Sequence, residues 1–301
     1  MWHHWINYIY IYLLTLNGLY GIYTAGASKI IGLECAGVIV DTNSTTLYKQ
    51  GDRVMCLLGG GGYAQYVAVP VTHCIPIPSH MSFTDAGAIP EVYLTAYQLI
   101  RYIAHCSPNE YILIHAGASG VGTAAIQLAK LFGCKSIATA GTSDKLKFCM
   151  ELGASTAINY KDQSFGTEVQ NYLRDNKVSN GISIVIDPVG KSHFNDNIDV
   201  LGLDGRYILF GLMSGADVQL NLGKVLAKRI RIEGTTLRSR SAEYKTDLVK
   251  SFIRDVLPAL DNKTCKPIIY KEMSMDQIVD AHKLMESNET TGKIVIHVPQ
   301  Q

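Results

Sequence analysis

Between residues 111 and 132 the chain passes from a continuous apolar run, through a glycine-rich segment, to apolar positions at helical spacing. The segment 111–116 begins with four consecutive apolar or aromatic residues, which is typical of a strand buried on both faces. From 121 to 132 apolar side chains recur near the helical period, and Gly133 is placed to end the helix. The pattern therefore predicts a strand, a tight turn and a helix.

The alternation of strand and helix continues from residue 136 towards the end of the chain. Repeated βα units predict an α/β fold with a doubly wound parallel sheet and right-handed crossovers. The predicted strands are 136–140, 156–160, 182–187, 206–210, 229–234 and, at the end of the chain, 292–298. The predicted helices are 144–152, 166–174, 193–201, 241–260 and 275–287.

Before residue 90 the pattern is different. Short apolar segments, such as 32–40 and the alternating segment 63–69, are separated by turn residues. The four glycines at 59–62 predict a flexible or sharply bent connection, because no helix follows them. We therefore expect a compact, barrel-like β module, followed within 84–103 by two helices that meet near Pro90.

Residues 1–16 are apolar and aromatic and contain no Lys or Arg. They lack the basic region and the clear small-residue cleavage site of a secretory signal, and they are too short for a comfortable membrane span. Alternating Tyr and Ile at 8–12 instead indicate a buried strand. We expect no association with a membrane.

The composition narrows the function classes further. A length of 301 residues favours two domains, and 47% hydrophobic with 18% charged residues is typical of a soluble globular protein. A formal net charge of +1 without basic runs indicates no nucleic-acid partner. The seven cysteines are scattered and form no C-x-x-C motif, which argues against structural zinc and a disulfide framework. Reduced thiols in a cytoplasmic protein are the prediction.

The glycine-rich segment 117–122 has the spacing G-x-x-G-x-G, with Ser119 at the position of the middle glycine of the usual dinucleotide fingerprint. The first turn of a helix offers unpaired N–H groups and a positive dipole end, which suit a pyrophosphate. Glycines there let the backbone approach the phosphates. The alternative is a plain strand–helix turn, but the buried strand before it and the amphipathic helix after it favour a nucleotide site.

The end of the second predicted strand, at 139–143, contains no acidic residue. NAD-specific sites usually carry Asp or Glu there to bind the ribose 2′-hydroxyl. Small and hydroxyl residues leave room for a 2′-phosphate, to which Ser143 can donate a hydrogen bond and Lys145 can supply positive charge. Asp144 opposes this charge but suits the first turn of a helix. The segment favours NADPH over NADH, with a solvated helical lysine as the alternative for Lys145.

Seven stretches spread over nearly all of the chain after Gly26 carry a family pattern: GASKIIGLECAGVIV, GDRVMCLLGGGGYAQYVAVP, AGAIPEVYLTAYQL, YILIHAGASGVGTAAIQLAK, LGASTAINYK, LDGRYILFGLMSG and GKIVIHV. Together they resemble the zinc-independent quinone oxidoreductases of the medium-chain dehydrogenase/reductase superfamily, and among them the p53-inducible branch. The resemblance implies a GroES-like, β-rich catalytic domain at 1–93, an inserted Rossmann domain that binds NADPH at 94–256, and a return to the first domain at 257–301. It also implies reduction of a small-molecule quinone in an interdomain cleft, by a homodimer or larger homo-oligomer.

The resemblance also implies roles for individual residues. Ser143, Lys145 and Tyr160 would surround the adenosine 2′-phosphate, and Thr95 would lie near the nicotinamide. Leu33 stands where related alcohol dehydrogenases place a zinc-binding histidine in a G-H-E motif, so no catalytic metal is expected. The full set of expected cofactor-binding residues is Thr95, Gly117, Ser119, Gly120, Val121, Gly122, Ser143, Lys145, Tyr160, Gly211 and Leu212.

The N-terminal segment departs from the family pattern, because relatives carry more chain before the segment 32–34. We therefore expect an N-terminally shortened catalytic domain. Tyr20, in a remnant of a G-x-Y motif, is the candidate catalytic residue at the quinone site, with a buried loop aromatic as the alternative. Two further functions stay open: an enoyl or alkenal reductase with Tyr20 or Tyr63 as proton donor, and a nucleotide-binding but catalytically impaired protein.

Overall fold

The computed structural model describes residues 28–299. Its strands are β1 (Glu34–Val38), β2 (Arg53–Leu57), β3 (Cys74–Pro76), β4 (Tyr111–Ile114), β5 (Lys135–Ala140), β6 (Thr156–Asn159), β7 (Ile182–Asp187), β8 (Leu201–Leu209), β9 (Arg231–Gly234), β10 (Ile269–Ser274) and β11 (Lys293–His297). Its helices are α1 (Phe83–Gly87), α2 (Pro90–Tyr97), α3 (Gly120–Leu131), α4 (Ser143–Leu152), α5 (Phe165–Asp175), α6 (Phe194–Val200), α7 (Leu222–Lys228), α8 (Ala242–Asp255), α9 (Leu257–Asp261) and α10 (Ile278–Glu286). A π-helical turn, Gln98–Ile103, follows α2 directly.

The chain divides into two compact units. The first contains the described residues of Met1–Thr95 and Leu237–Gln301, and the second is Ala96–Thr236. The return to the first unit therefore lies earlier than the predicted boundary after residue 256. The reason is helix α8, which packs on the turn before β3: the Thr72 and Thr246 hydroxyls lie 2.8 Å apart, and His73 Nε2 lies 3.3 Å from the carbonyl oxygen of Ala242.

The second unit is built on a six-stranded parallel sheet with the order β6-β5-β4-β7-β8-β9. The chain enters at β4 in the middle, winds outward to β6, and then returns to β7 on the other side of β4. This confirms the predicted doubly wound sheet and places its switch point between β4 and β7. In register, Leu113 of β4 lies between Ile137 of β5 and Val185 of β7.

The core of the second unit explains why the apolar pattern predicts it well. All four residues of β4 are buried. Leu113, Ile137 and Val185 are fully buried in one apolar cluster with residues from α5 and α6. A strand with helices on both faces must be apolar throughout, whereas its helices bury one face each. The run at 111–114 and the helical spacing after residue 120 are both consequences of this packing.

The first unit contains a three-stranded antiparallel sheet, β1-β2-β3, and a parallel pair, β10-β11. The alternating segment 63–69, which the sequence pattern places in the β module, does not form a strand. The preceding glycines instead bend sharply, and Gly61 adopts a φ of +93°. A side chain on Gly60 would lie 2.7 Å from the carbonyl oxygen of Ser28, so this bend requires glycine.

The predicted helix 241–260 is interrupted at Val256, between α8 and α9. Pro258 lies in the first turn of α9, where its missing N–H is tolerated, but the same residue prevents one continuous helix. The predicted strand 206–210 begins earlier, at Leu201, and its pairing with β7 is irregular between Ile182 and Ile184. No helix within residues 28–299 is long and apolar enough to cross a membrane.

Candidate functional site

The glycine-rich turn leads from β4 into α3 and is closed by its own serine. Ser119 precedes the helix, and its hydroxyl accepts a hydrogen bond of 3.1 Å from the N–H of Gly122. The first backbone bond of the helix runs from the N–H of Thr123 to the carbonyl oxygen of Ser119, at 2.9 Å. The N–H groups of Gly120 and Val121 precede that bond, so by helix geometry they point out of the N-terminus. These two donors are the ones available to an anion.

At two of the predicted glycines a side chain would meet neighbouring atoms at 3.0 Å or less, backbone atoms at Gly122 and side-chain atoms at Gly117. A side chain on Gly122 would lie 2.3 Å from the carbonyl oxygen of Ala116. On Gly117 it would lie 2.8 Å from the Cβ of Ala138 in β5 and 3.0 Å from the sulfur of Cys149 in α4. Ala116 itself adopts a left-handed φ of 52°, which is uncommon for a residue other than glycine and typical of functional turns. The sequence does not indicate that feature.

The carboxyl end of β5 carries the predicted 2′-phosphate residues. Thr142 precedes α4, and its hydroxyl accepts from the N–H of Lys145 at 3.4 Å. The side chain of Ser143 is therefore not the helix cap, and Ser143 lies exposed in the first turn. Lys145 is half-buried on the same turn. A hydroxyl and an ammonium group at this helix N-terminus form a donor set that suits a phosphate.

Tyr160 directly follows β6, and its side chain lies beside the carboxyl end of β5. A side chain on Gly141 would lie 3.0 Å from the Tyr160 hydroxyl and 3.0 Å from Cε of Lys161. Lys161 thus stands at the same place, although sequence reasoning did not select it. Its position one residue after Tyr160, at the end of a predicted strand, is the signal that could have found it. The structure therefore brings together Ser143, Lys145, Tyr160 and Lys161 at the ends of β5 and β6.

Gly211 and Leu212 lie beyond β8, on the other side of the switch point. A side chain on Gly211 would lie 2.8 Å from the carbonyl oxygen of Pro188, which follows β7. Leu212 is 54% exposed and lies against Gly190, which is in the loop after β7. All of these segments follow the carboxyl ends of parallel strands, so they share one edge of the sheet with the glycine turn. Dinucleotides bind across such an edge at a switch point.

A buried polar network lies at this edge and joins four strands. His115, directly after β4, has Nδ1 2.9 Å from the Thr139 hydroxyl and Nε2 2.7 Å from Oδ1 of Asn197. The Asn197 amide donates to Asp187 at 3.1 Å, and the Tyr207 hydroxyl donates to the same carboxylate oxygen at 2.5 Å. Burial lowers the pKa of His115 to about 4 and raises the pKa of Asp187. The imidazole is therefore neutral at physiological pH.

Asp187 also orders the loop that carries Gly190. Its carboxylate accepts hydrogen bonds from the N–H of Val189 at 2.6 Å and from the N–H of Gly190 at 3.2 Å. The network thus holds the loop after β7 in a defined position against Leu212 and Gly211. Sequence reasoning did not select any of its members, because they come from distant parts of the chain.

Two predicted residues are not brought into this group. Thr95 is half-buried in α2, and it is the last residue of the first unit before the chain continues into the second unit at Ala96. Tyr20, the candidate catalytic residue, lies outside the described residues, as does the strand expected at 8–12. Their roles stay predictions.

Leu33, which the resemblance aligns with a zinc-binding histidine of alcohol dehydrogenases, lies within the described residues. Leu33 is buried, and the neighbouring Glu34 forms a buried ion pair with Lys293 instead of facing a metal. Glu34 also accepts a hydrogen bond of 2.9 Å from the N–H of Glu91. Among residues 28–299 no cluster of three His, Cys, Asp or Glu side chains is arranged to hold a metal ion.

Comparison with protein families gives two matches. A model described as zinc-binding dehydrogenase matches residues 120–253, and one described as alcohol dehydrogenase GroES-like domain matches residues 7–79. The first covers α3 to α8 and thus most of the parallel sheet. The second covers β1 to β3 and the segment before them. The GroES-like module and the Rossmann-type sheet are therefore both present in this chain.

Comparison with individual proteins gives the same result. A quinone oxidoreductase-like protein 2 homolog of Nematostella vectensis is 30% identical over 273 residues, which are 89% of this chain and 73% of that protein. The Homo sapiens quinone oxidoreductase is 28% identical over 269 residues, covering 88% of this chain and 78% of that protein. The crystal structure of Escherichia coli quinone oxidoreductase complexed with NADPH has a TM-score of 0.85 at 25% identity, covering 98% of this chain and 90% of that one.

Proposed function

Because this chain belongs to the medium-chain dehydrogenase/reductase superfamily, we propose that it is an NADPH-dependent oxidoreductase that reduces quinones. The observation that carries the proposal is the arrangement at one sheet edge: a serine-capped glycine turn, with Ser143, Tyr160 and Lys161 at the ends of the next two strands. Relatives named quinone oxidoreductase, and the NADPH complex of one of them, support the choice of substrate and cofactor.

In this proposal each group of residues at the carboxyl ends of the parallel strands binds one part of the cofactor. The N–H groups of Gly120 and Val121 bind the pyrophosphate, because they are donors at the positive end of α3. Ser143 and Tyr160 donate hydrogen bonds to the 2′-phosphate, and lysine ammonium groups neutralise its charge. NADPH supplies the reducing equivalents, and the protein positions the cofactor and excludes water. A quinone can take its protons from solvent, so the proposal requires no acidic side chain.

The cofactor preference is tested with Lys145→Ala and Lys161→Ala. Each substitution is expected to raise the KM for NADPH about fivefold to tenfold, because it removes one partly exposed charge-assisted contact. The KM for NADH is expected to stay within about twofold of the wild-type value, because NADH lacks the 2′-phosphate. Lys147→Ala is the matched control, because Lys147 lies on the same helix and only pairs with Glu151 at 4.0 Å on the surface. Equal increases for both cofactors would contradict the 2′-phosphate assignment.

We further propose a homo-oligomer assembled through β9. Strand β9 is the outermost strand of the parallel sheet, next to β8, and all four of its residues are exposed. Leu222 and Leu226 of the adjacent helix α7 are 72% and 81% exposed. A polar edge strand beside exposed leucines is a surface that a second copy of the chain can cover by strand pairing and apolar contact.

This assembly is tested by size-exclusion chromatography with light scattering. The wild-type protein is expected to have the mass of a dimer or larger assembly, and Leu226→Glu is expected to raise the dissociation constant at least about tenfold, because it buries a charge at the contact. Val279→Glu is the control, since Val279 is 61% exposed on α10 of the other unit. A wild-type monomer, or equal effects of both variants, would overturn the proposal.

A further inference from the structure

His193 is the middle member of a chain of aromatic rings that starts at the exposed Tyr160 and continues to His115 and Phe165. It belongs to the turn Lys191–His193 after β7 and is 8% exposed. Its ring lies 5.7 Å from the ring of Tyr160, edge to face. On the other side it contacts His115, at 4.6 Å between ring centroids, and Phe165, at 4.8 Å. Tyr160 is the exposed member of this group, at 37%.

The base of this ring chain is rigid. Asn197 donates through its amide nitrogen to Asp187, so its Oδ1 faces His115 and accepts a hydrogen bond from the Nε2–H group. His115 Nδ1 then accepts from the Thr139 hydroxyl. With both ring nitrogens engaged and the ring fully buried, His115 has one tautomer and one orientation.

His193 transmits this rigidity to Tyr160. The Ser192 hydroxyl lies 3.0 Å from its Nδ1, and the flanking rings of His115 and Phe165 restrict the imidazole. Burial, followed by the neighbouring His115, lowers the pKa of His193 to about 4. A neutral imidazole offers an aromatic surface, not a charge, to Tyr160. The tyrosine hydroxyl lies beside Gly141, which directly follows β5.

We propose that His193 is a positioning residue that determines the preference for NADPH over NADH by holding Tyr160 against the 2′-phosphate site. The inference rests on the proposed function, since it concerns the same cofactor edge. It assigns the preference to a residue that does not touch the phosphate. Because NADH lacks the 2′-phosphate, a displaced Tyr160 weakens NADPH binding selectively, whereas general damage to the unit weakens the binding of both cofactors.

The test measures dissociation constants for NADPH and NADH by fluorescence titration, without a substrate. His193→Ala is expected to raise the Kd for NADPH roughly tenfold and that for NADH by less than about twofold, since the hydrogen bond at risk is one to a charged group. His193→Phe keeps an aromatic ring and is expected to stay within about threefold of wild type for NADPH. His193→Leu replaces His193→Ala if the smaller side chain prevents folding.

The double variant His193→Ala/Tyr160→Phe decides whether His193 acts through Tyr160. If it does, the double variant binds NADPH about as weakly as Tyr160→Phe alone, because residues that act as one unit are not additive. Additive losses, or equal losses for NADH and NADPH, would overturn the inference. Failure of the proposed function gives a different result, because wild-type protein would then bind NADPH without oxidising it in the presence of a quinone.

Discussion

Gly122→Ala is expected to lower the affinity for NADPH at least about 100-fold, or roughly 3 kcal/mol. The added methyl group would lie 2.3 Å from the carbonyl oxygen of Ala116 and 2.7 Å from the backbone of Gly117. These are backbone atoms, which cannot rotate away as a side chain does. The turn must therefore shift, and it carries the N–H groups of Gly120 and Val121 out of position. Displacements of about 1 Å cost binding and catalytic sites about 100-fold.

The effect is measured as the Kd for NADPH by fluorescence titration, with the far-UV circular dichroism spectrum as the check on folding. Lys147→Ala is the control in the same unit, because Lys147 lies outside the glycine turn and β9 and pairs with Glu151 at 4.0 Å on the surface. It is expected to bind NADPH within about twofold of wild type. If folded Gly122→Ala binds NADPH as the wild type does, the glycine turn is not the pyrophosphate site.

Lys293→Ala is expected to lower the free energy of unfolding by about 3–5 kcal/mol. Lys293 and Glu34 are 2% and 0% exposed and form an ion pair in the interior of the first unit. Removal of the ammonium group leaves the Glu34 carboxylate buried without its cation. Glu91 lies beside this pair, and burial, followed by repulsion from Glu34, raises its pKa to about 8.

The loss is measured by guanidinium unfolding at pH 7. Lys147→Ala is the control for removal of a lysine charge, because its pair with Glu151 is exposed and is expected to contribute less than about 0.5 kcal/mol. The double variant Lys293→Met/Glu34→Gln is expected to be more stable than Lys293→Ala, since it buries no unpaired charge. Equal stability of Lys293→Ala and Lys147→Ala would show that the buried pair does not stabilise the fold.

The parallel sheet could be predicted because its signals are local. A strand covered on both faces must be apolar throughout, as at Tyr111–Ile114. In each amphipathic helix the apolar residues recur at the helical period, so the helix can be recognised within its own segment. The signals for the first unit are weaker. The alternation at 63–69 is typical of a strand, but the chain follows an irregular path there after the bent glycines. The strand propensity of these residues is therefore overridden by the surrounding structure.

Within the site, Gly117, Ser119 and Gly122 could be predicted because the turn is continuous in sequence. The network of His115, Asn197 and Asp187 could not, because its members come together only when β4, β7 and α6 are packed. The same holds for His193, whose ring meets that of Tyr160 from a different βα unit. Sequence spacing gives no sign of contacts between such distant segments.

The central claim is tested most directly by the initial rate of NADPH oxidation with an ortho-quinone, such as a naphthoquinone, and with NADH in parallel. The wild-type protein is expected to turn over the quinone and to show a lower KM for NADPH than for NADH. Lack of turnover in folded protein that binds NADPH would contradict the claim and would identify the chain as a nucleotide-binding protein without this activity.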